Sequence, residues 1–248
     1  MDTHKLYGGD ITLKFDPTKH LYWANEKKAL SVTGIVGVIG KPALIQWAAN
    51  QASTYWKETI KVGEVIDEVK LEELYESGRF AHRRFTKKAA DIGTLAHHWI
   101  ERYIKGEKPS TPVNEMVRTA VEAFLQWEKE NDVKFHESEI KIYSKKYKYA
   151  GTMDFEATVN GKLVIGDIKT SSGLYPEMRF QVAAYRQARE EETGNKYDHQ
   201  VIVRIGKKLV DDKPDFEIKE FDNFKQDIKG FLGALLLTNR LNELKERK

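Results

Sequence analysis

The chain of 248 residues has 41 Lys and Arg against 38 Asp and Glu, a formal net charge of +3, and 40% hydrophobic residues. It can bury a core, so its composition excludes an intrinsically disordered tail. The sequence contains no cysteine, which excludes disulfides, iron–sulfur clusters and thiol nucleophiles, and it shows neither a long apolar run nor an apolar N-terminal segment, so we expect no membrane span and no secretory signal.

The first half of the chain is predicted to be mainly helical after a short hairpin. ITLKF and HLYWA alternate around the turn Asp16-Pro17-Thr18-Lys19 and predict two strands within residues 11–24. Helix-start signals and helical spacing then predict helices over about residues 42–56, 67–90, 94–106 and 113–131. The segment Asp91-Ile92-Gly93-Thr94 is expected to separate the second helix from the third, with Thr94 as N-cap.

The second half has a different character. Strands are predicted over 137–144, 149–159 and 162–169, then a helix over 176–192, two strands at HQVIVRI and FEIKEF, and a helix over 222–246. Asn160-Gly161 is a strong hairpin signal between the second and third strands. We therefore expect a single domain over 1–248 with a helical lobe at about 31–131 and an α/β core with a mixed sheet at about 132–248.

The hairpin around Asn160-Gly161 carries the residues with the clearest chemistry. Pairing the strands about this turn places Asp154 opposite Asp167, and Lys169 lies on the same face as Asp167. A D-x-K pattern in a strand is usually a solvated face, but here it follows the apolar run Val164-Ile165-Gly166, where charges are costly without a role. Two close carboxylates favour a cation between them, and oxygen ligands suit Mg²⁺ or Mn²⁺. These are the parts of a metal-assisted phosphodiester hydrolase.

Two basic runs are candidates for contact with a phosphate backbone. They comprise Arg79, His82, Arg83, Arg84, Lys87 and Lys88, and then Lys141, Tyr143, Lys145, Lys146, Tyr147, Lys148 and Tyr149. Basic residues interleaved with aromatic ones are typical of surfaces that bind single strands. Charge runs are also common on solvated faces, so the runs alone leave both interpretations open.

Four motifs, in order, resemble the PD-(D/E)XK nuclease superfamily in its RecB-like branch. They are Gly93-Thr94-Leu95-Ala96-His97-His98-Trp99-Ile100-Glu101, Gly151-Thr152-Met153-Asp154, Asp167-Ile168-Lys169-Thr170 and Gln181-Val182-Ala183-Ala184-Tyr185. The likeness covers about residues 11–206 and is greatest to stand-alone phage-type exonucleases, to which the mitochondrial genome maintenance exonuclease is related. It implies an α/β restriction-endonuclease-like core with a mixed central sheet flanked by helices, plus an N-terminal helical lobe.

The resemblance also implies roles for individual residues. Asp154 and Asp167 would bind the metal, Lys169 would be the catalytic lysine, and the main-chain carbonyl of Ile168 and the side chain of His97 would complete the metal ligands. His98 is the alternative ligand, but on a helix its side chain points about 100° away from that of His97, so only one of the two can face the metal.

Further residues have a functional and a structural reading. Glu101 would orient the metal-binding histidine or form a surface pair, and Glu139 would bind a second metal or hydrogen-bond near the lysine. Gln181 and Tyr185 would support the lysine or touch DNA as part of the catalytic set, or simply pack on the sheet. Thr170 would donate to a phosphate. The predicted DNA-binding residues are Arg83, Arg84, Lys87, Lys145, Lys146 and Lys148. Tyr147, Tyr149 or Trp99 are candidates for base stacking, with core packing the favoured role of Trp99.

The sequence thus predicts a divalent-metal-dependent DNA exonuclease that hydrolyses phosphodiester bonds on single-stranded or frayed ends. Mg²⁺ or Mn²⁺ is the expected cofactor, with no iron–sulfur cluster and, in the absence of a P-loop, no bound nucleotide. The alternatives are a structure-selective endonuclease, a DNA-binding subunit that needs a helicase or recombinase partner, and a binding module without turnover. The resemblance implies a role in replication, recombination or repair in the cytoplasm of a prokaryotic cell or phage-infected host.

Overall fold

The computed structural model describes residues 1–246, which form two compact units. The larger unit comprises Met1–Ile39 together with the chain from Ala96 onward, and the smaller unit comprises Gly40–Leu95. The larger unit contains the sheet and the helix over Glu115–Glu130, and the smaller unit is helical.

The described residues form nine strands and seven α-helices. The strands are β1 (Asp2–Leu6), β2 (Ile11–Asp16), β3 (Leu21–Ala24), β4 (Lys27–Ser31), β5 (Val133–Tyr143), β6 (Tyr149–Val159), β7 (Lys162–Lys169), β8 (His199–Ile205) and β9 (Phe216–Phe221). The helices are α1 (Val32–Val36), α2 (Ala43–Thr59), α3 (Glu68–Arg79), α4 (Ala81–Ile104), α5 (Glu115–Glu130), α6 (Glu177–Thr193) and α7 (Phe224–Glu246). Within residues 1–246 we find no helix with the length and apolar character that a bilayer span requires.

The strands form one mixed sheet, as predicted. Its order is β1-β2-β3-β4-β6-β7-β8-β9, with β5 paired to β6. The pairs β4–β6 and β7–β8 are parallel and the others are antiparallel. The N-terminal strands join the rest through only two positions, Leu30↔Tyr149 and Ser31↔Ala150. The sequence indicated the β2–β3 hairpin but not β1 and β4, because these short strands are rich in exposed polar residues.

One predicted helix boundary is wrong. The segment Asp91-Ile92-Gly93-Thr94 does not break the chain, since α4 runs through it without interruption, and the break lies at Phe80, before α4. Ile92, Ala96 and Ile100 are all buried at a spacing of four residues, so one apolar face continues across the segment. This burial outweighs the weak helix propensities of Gly93 and Thr94.

Helices cover both faces of the sheet. Phe155 of β6 packs against Trp127 of α5, and the position of Gly166 on β7 is filled by the Phe155 ring. The next residue of β7, Asp167, instead contacts α6. Because successive residues of a strand point to opposite faces, α5 and α6 lie on opposite sides.

Gly166 provides a test of this packing. A Cβ at this position would lie 1.8 Å from Phe155 Cζ, so we expect Gly166→Ala to destabilise the protein by about 1–3 kcal/mol through overpacking. Gly233→Ala is the control, because nothing lies within 4 Å of its added Cβ. Thermal unfolding should show a lower Tm for the first variant alone, and equal Tm values would contradict the packing described.

Candidate active site

The predicted register of the β6–β7 hairpin is confirmed. The strands pair from Val159↔Lys162 to Phe155↔Gly166 around Asn160-Gly161. Both turn residues have a positive φ, of 48° and 79°, as a two-residue hairpin of the mirror-image type requires. Asp154 and Asp167 are the next two positions in this register, so the turn chemistry brings the two carboxylates to the same place at the end of the ladder.

Each aspartate is held by a contact of its own. The Ile168 N–H donates to Asp154 Oδ2 at 2.6 Å, so Ile168 reaches the site through its amide, and the predicted ligand role of its carbonyl stays a prediction. Lys169 Nζ lies 2.5 Å from Asp167 Oδ2, and Gln181 Nε2 on α6 lies 3.3 Å from Asp167 Oδ1. These contacts fix the carboxylates in place.

Gln181 and Tyr185 lie beneath the site and away from solvent. Gln181 Nε2 donates to the Tyr185 hydroxyl at 2.7 Å, one helical turn away. Tyr185 is 2% exposed, and an added Cβ at Gly151 would lie 3.0 Å from its ring. The structure therefore explains the small residue three positions before Asp154, and it favours support of Asp167 over contact with DNA.

The adjacent histidines of α4 separate as predicted. His97 Nδ1 lies 3.6 Å from Asp154 Oδ2, whereas His98 is largely exposed and lies 3.7 Å from Glu101 Oε2. Glu101 also binds Lys105, with Oε1 and Nζ 2.5 Å apart. Of the two readings of Glu101, the described contacts support the surface pair.

The electrostatics of the cluster follow from burial. Burial raises the pKa of Asp154 well above its ordinary value, and the charge of Asp167 raises it further, while Lys169 opposes both effects. Burial alone would lower the pKa of Lys169, but the two aspartates outweigh it and the pKa is raised. Burial lowers the pKa of His97, so a neutral imidazole with a free nitrogen lone pair is favoured at neutral pH.

The donor set fits a hard divalent cation. It combines two carboxylates with an imidazole. The oxygen Asp167 Oδ2 is buried and lacks a well-directed hydrogen-bond donor despite the nearby ammonium. The 3.6 Å between His97 Nδ1 and Asp154 Oδ2 is too long for a hydrogen bond, so the imidazole would be available as a ligand. Within residues 1–246 no three His, Asp or Glu side chains lie close enough together to hold a metal ion as they stand.

Glu139 and Lys141 extend the cluster along β5. The ladder pairs Ser138↔Phe155 and Ile140↔Met153, so Glu139 lies opposite Asp154. Its carboxylate contributes to the raised pKa of Asp154. Lys141 Nζ lies 3.4 Å from Glu139 Oε2. The sequence indicated Glu139, but it did not indicate that Lys141, expected among the DNA contacts, would turn toward it.

The predicted basic run of the smaller unit lies at the surface. Arg83, Arg84 and Lys87 are all exposed. Arg83 lies over the Phe80 ring, and Arg84 lies over the Tyr55 ring and donates to the Ser77 carbonyl at 2.7 Å. All three therefore stay candidates for DNA contact, although the guanidinium of Arg84 already has a partner.

The Lys/Tyr stretch forms a well-held turn between β5 and β6. Buried Ser144 accepts at its carbonyl from the Lys148 N–H at 2.8 Å, and its hydroxyl donates to Glu191 at 2.9 Å. The turn presents Lys145, Lys146 and Lys148 at the surface. Tyr149 is different, since it is fully buried and donates to the Ala184 carbonyl, so the suggestion that it stacks on a base is wrong.

Thr170 and Trp99 were also predicted to contact DNA. Thr170 directly follows β7 and is partly exposed, as a phosphate donor would need to be. Trp99 is half-buried, with its ring stacked on Tyr103 and its Nε1 donating to the Ser110 carbonyl, which favours packing over base stacking.

Asp154 gives a stability prediction. A raised pKa means that ionisation of Asp154 costs stability, and this cost appears above the unfolded-state value of 3.8 and grows until the pH passes the folded-state pKa. Asp154→Asn should therefore raise the Tm of the metal-free protein at neutral pH by at least about 2 °C, the change that roughly 0.5–1 kcal/mol produces in a chain of this size. The gain should shrink near pH 4. The exposed Asp222→Asn is the control, and a lower Tm for Asp154→Asn at pH 7 would contradict this account.

Comparisons with known proteins give weak likenesses. No protein-family model matches the chain, and no curated protein matches it. Among solved structures, SSO0001 is 15% identical with a TM-score of 0.34, and 79% of this chain and 86% of that chain are covered. The alkaline exonuclease LHK-Exo from Laribacter hongkongensis is 14% identical with a TM-score of 0.32, covering 82% of this chain and 97% of that one. LHK-Exo in complex with dAMP is 15% identical with a TM-score of 0.33, covering 64% and 90%. Likenesses at this level carry no conclusion about fold or activity.

Proposed function

We propose that this chain is a divalent-metal-dependent DNA exonuclease that acts on single-stranded or frayed ends. The observation that carries the proposal is the meeting of Asp154 and Asp167 at the end of the hairpin ladder, with Lys169 on one carboxylate and His97 beside the other. Charged groups at such a buried place are costly, and a cluster of them with perturbed pKa values marks a candidate functional site.

In this proposal each side chain has a distinct task. His97, Asp154 and Asp167 would hold Mg²⁺ or Mn²⁺, which when bound supplies an activated water and stabilises charge on the phosphate. The Ile168 amide and the Gln181 side chain keep the two carboxylates in position.

Lys169 supplies the positive charge of the site. Its ammonium neutralises the charge of Asp167. With a divalent cation balancing the charge of the aspartates instead, Lys169 would be free to orient the attacking water or to bind a phosphate oxygen. Its side chain is 22% exposed, so Lys169 is not fully enclosed by the buried cluster.

The turn between β5 and β6 supports a proposed path for the strand. Lys148 directly precedes β6, and Asp154 is the sixth residue of that strand. Along an extended strand the two residues are roughly 20 Å apart. Because the turn is fixed by Ser144 and Glu191, Lys146 and Lys148 form a stable cationic edge for phosphates, while Lys145 is already paired with Asp10 at 3.1 Å. Binding should weaken with salt, and each lost phosphate contact should reduce the logarithmic slope by roughly 0.7 for a single strand.

The experiment is digestion of end-labelled linear single strands and of a closed circular single strand, with Mg²⁺, Mn²⁺ or EDTA. Metal-dependent loss of the linear strand alone is the expected result. Cutting of the circle would replace the exonuclease by an endonuclease with the same chemistry. Absence of cutting with every metal would overturn the proposal for the isolated chain and favour a partner-dependent subunit or a binding module.

A further inference from the structure

Glu139 has an unusual backbone for a residue inside a strand. Its φ is 52°, in the left-handed region, although both neighbours on β5 remain paired with β6. Residues with a side chain rarely adopt this conformation, and when the surrounding structure enforces it the reason is often functional. Since Glu139 lies opposite Asp154, the distortion sets the position of a third carboxylate at the site.

The partner of Glu139 is a lysine with little access to solvent. Only 9% of the Lys141 side chain is exposed, which is rare for lysine unless the charge is paired. Its ammonium donates to the Glu139 carbonyl at 3.3 Å and contacts the carboxylate at 3.4 Å. It also lies over the Phe15 ring, 5.0 Å from the centroid, and Phe15 is stacked on Tyr22. The N-terminal hairpin thus closes over the lysine and holds it on Glu139.

These contacts complete the charge balance of the site. The three carboxylates of Asp154, Asp167 and Glu139 are matched by two ammonium groups, with Lys169 on Asp167 and Lys141 on Glu139. The formal balance of these five groups is one negative charge. One divalent cation together with one phosphodiester would bring the site to neutrality, and a second divalent cation that used Glu139 as a ligand would have to displace Lys141 from it.

We propose that Lys141 is a built-in counter-ion of Glu139, a positioning residue that limits the site to one divalent cation. The inference rests on the proposed function, because it assumes that Asp154 and Asp167 bind the metal. It makes Glu139 a carboxylate that is reserved for the lysine and is not a metal ligand in the wild-type protein.

Calorimetric titration of the metal-free full chain with Mn²⁺ tests the proposal without measuring cleavage. The wild type should bind one Mn²⁺ per chain. Lys141→Met, which keeps the apolar stem, should bind two, and Lys141→Arg should restore one. The double variant Lys141→Met with Glu139→Gln should bind only one Mn²⁺. Lys14→Met is the matched control, because Lys14 is also paired with a glutamate, Glu26, at 2.7 Å, but at the surface. This control variant should bind one Mn²⁺ per chain.

The outcomes separate this inference from the proposed function. Two Mn²⁺ in the wild type, or one in Lys141→Met, would overturn the counter-ion role and leave the nuclease proposal intact. No bound Mn²⁺ in the wild type would overturn the proposed function itself. If Lys141→Met fails to fold, the Glu139→Gln variant decides the question. It should bind one Mn²⁺ with an affinity within about threefold of the wild type. A tenfold or greater loss of affinity would show that Glu139 is a ligand.

Discussion

Lys169→Met is expected to reduce metal-dependent DNA cleavage by at least about 10²–10³-fold, the loss typical when one preorganised charge is removed from a transition state. The ammonium of Lys169 lies against Asp167 at the buried end of β7, and no other lysine contacts the Asp154–Asp167 pair among residues 1–246. Methionine keeps the length and the apolar stem, so folding should survive. Initial rates on a labelled single strand at saturating metal measure the effect.

Lys162→Met is the matched control for this variant. Lys162 lies on the same strand, at its exposed opposite end next to the hairpin turn. Its rate should stay within about twofold of the wild type, since surface substitutions usually have small effects. Near wild-type cleavage by Lys169→Met would show that the D-x-K motif is structural and that the site is wrongly assigned.

The second large effect is expected on the metal requirement, when the adjacent histidines of α4 are replaced one at a time. His97→Ala should raise the Mn²⁺ concentration needed for half-maximal cleavage by at least about 10-fold, since even the residues that orient metal ligands are worth roughly 10–100-fold in affinity. The reason is the position of His97 beside Asp154. His98→Ala removes a ring that is 65% exposed and contacts Glu101, and it should leave the metal requirement unchanged.

This pair of variants is a sharp comparison because the two residues are adjacent on one helix and chemically identical. Equal shifts for both variants would show that the effect comes from the helix and not from a ligand. A larger shift for His98→Ala would contradict the geometry described for α4.

The sequence predicts the parts of the site that depend on local rules. Asn160-Gly161 fixes the turn, the turn fixes the register, and the register places Asp154 beside Asp167. The spacing of Gln181 and Tyr185 likewise places them on one face of α6, where they meet. Local rules suffice here because each relation spans a few residues of one element or one hairpin.

Other features depend on contacts between distant segments. The left-handed Glu139 and the turn of Lys141 toward Phe15 arise from the packing of the N-terminal hairpin on β5, more than a hundred residues away in the chain. Periodicity and turn signals do not report such contacts. The burial of Tyr149 under α6 was missed for the same reason, because an aromatic residue beside lysines reads equally well as a surface platform or as core.

The most direct test of the central claim is anomalous diffraction from crystals of the protein soaked in Mn²⁺. The account predicts an anomalous peak within ligand distance of Asp154, Asp167 and His97, and no peak at this place in crystals of the Asp167→Asn variant. A well-occupied peak elsewhere on the chain, or none at these residues at saturating Mn²⁺, would contradict a metal-dependent nuclease site.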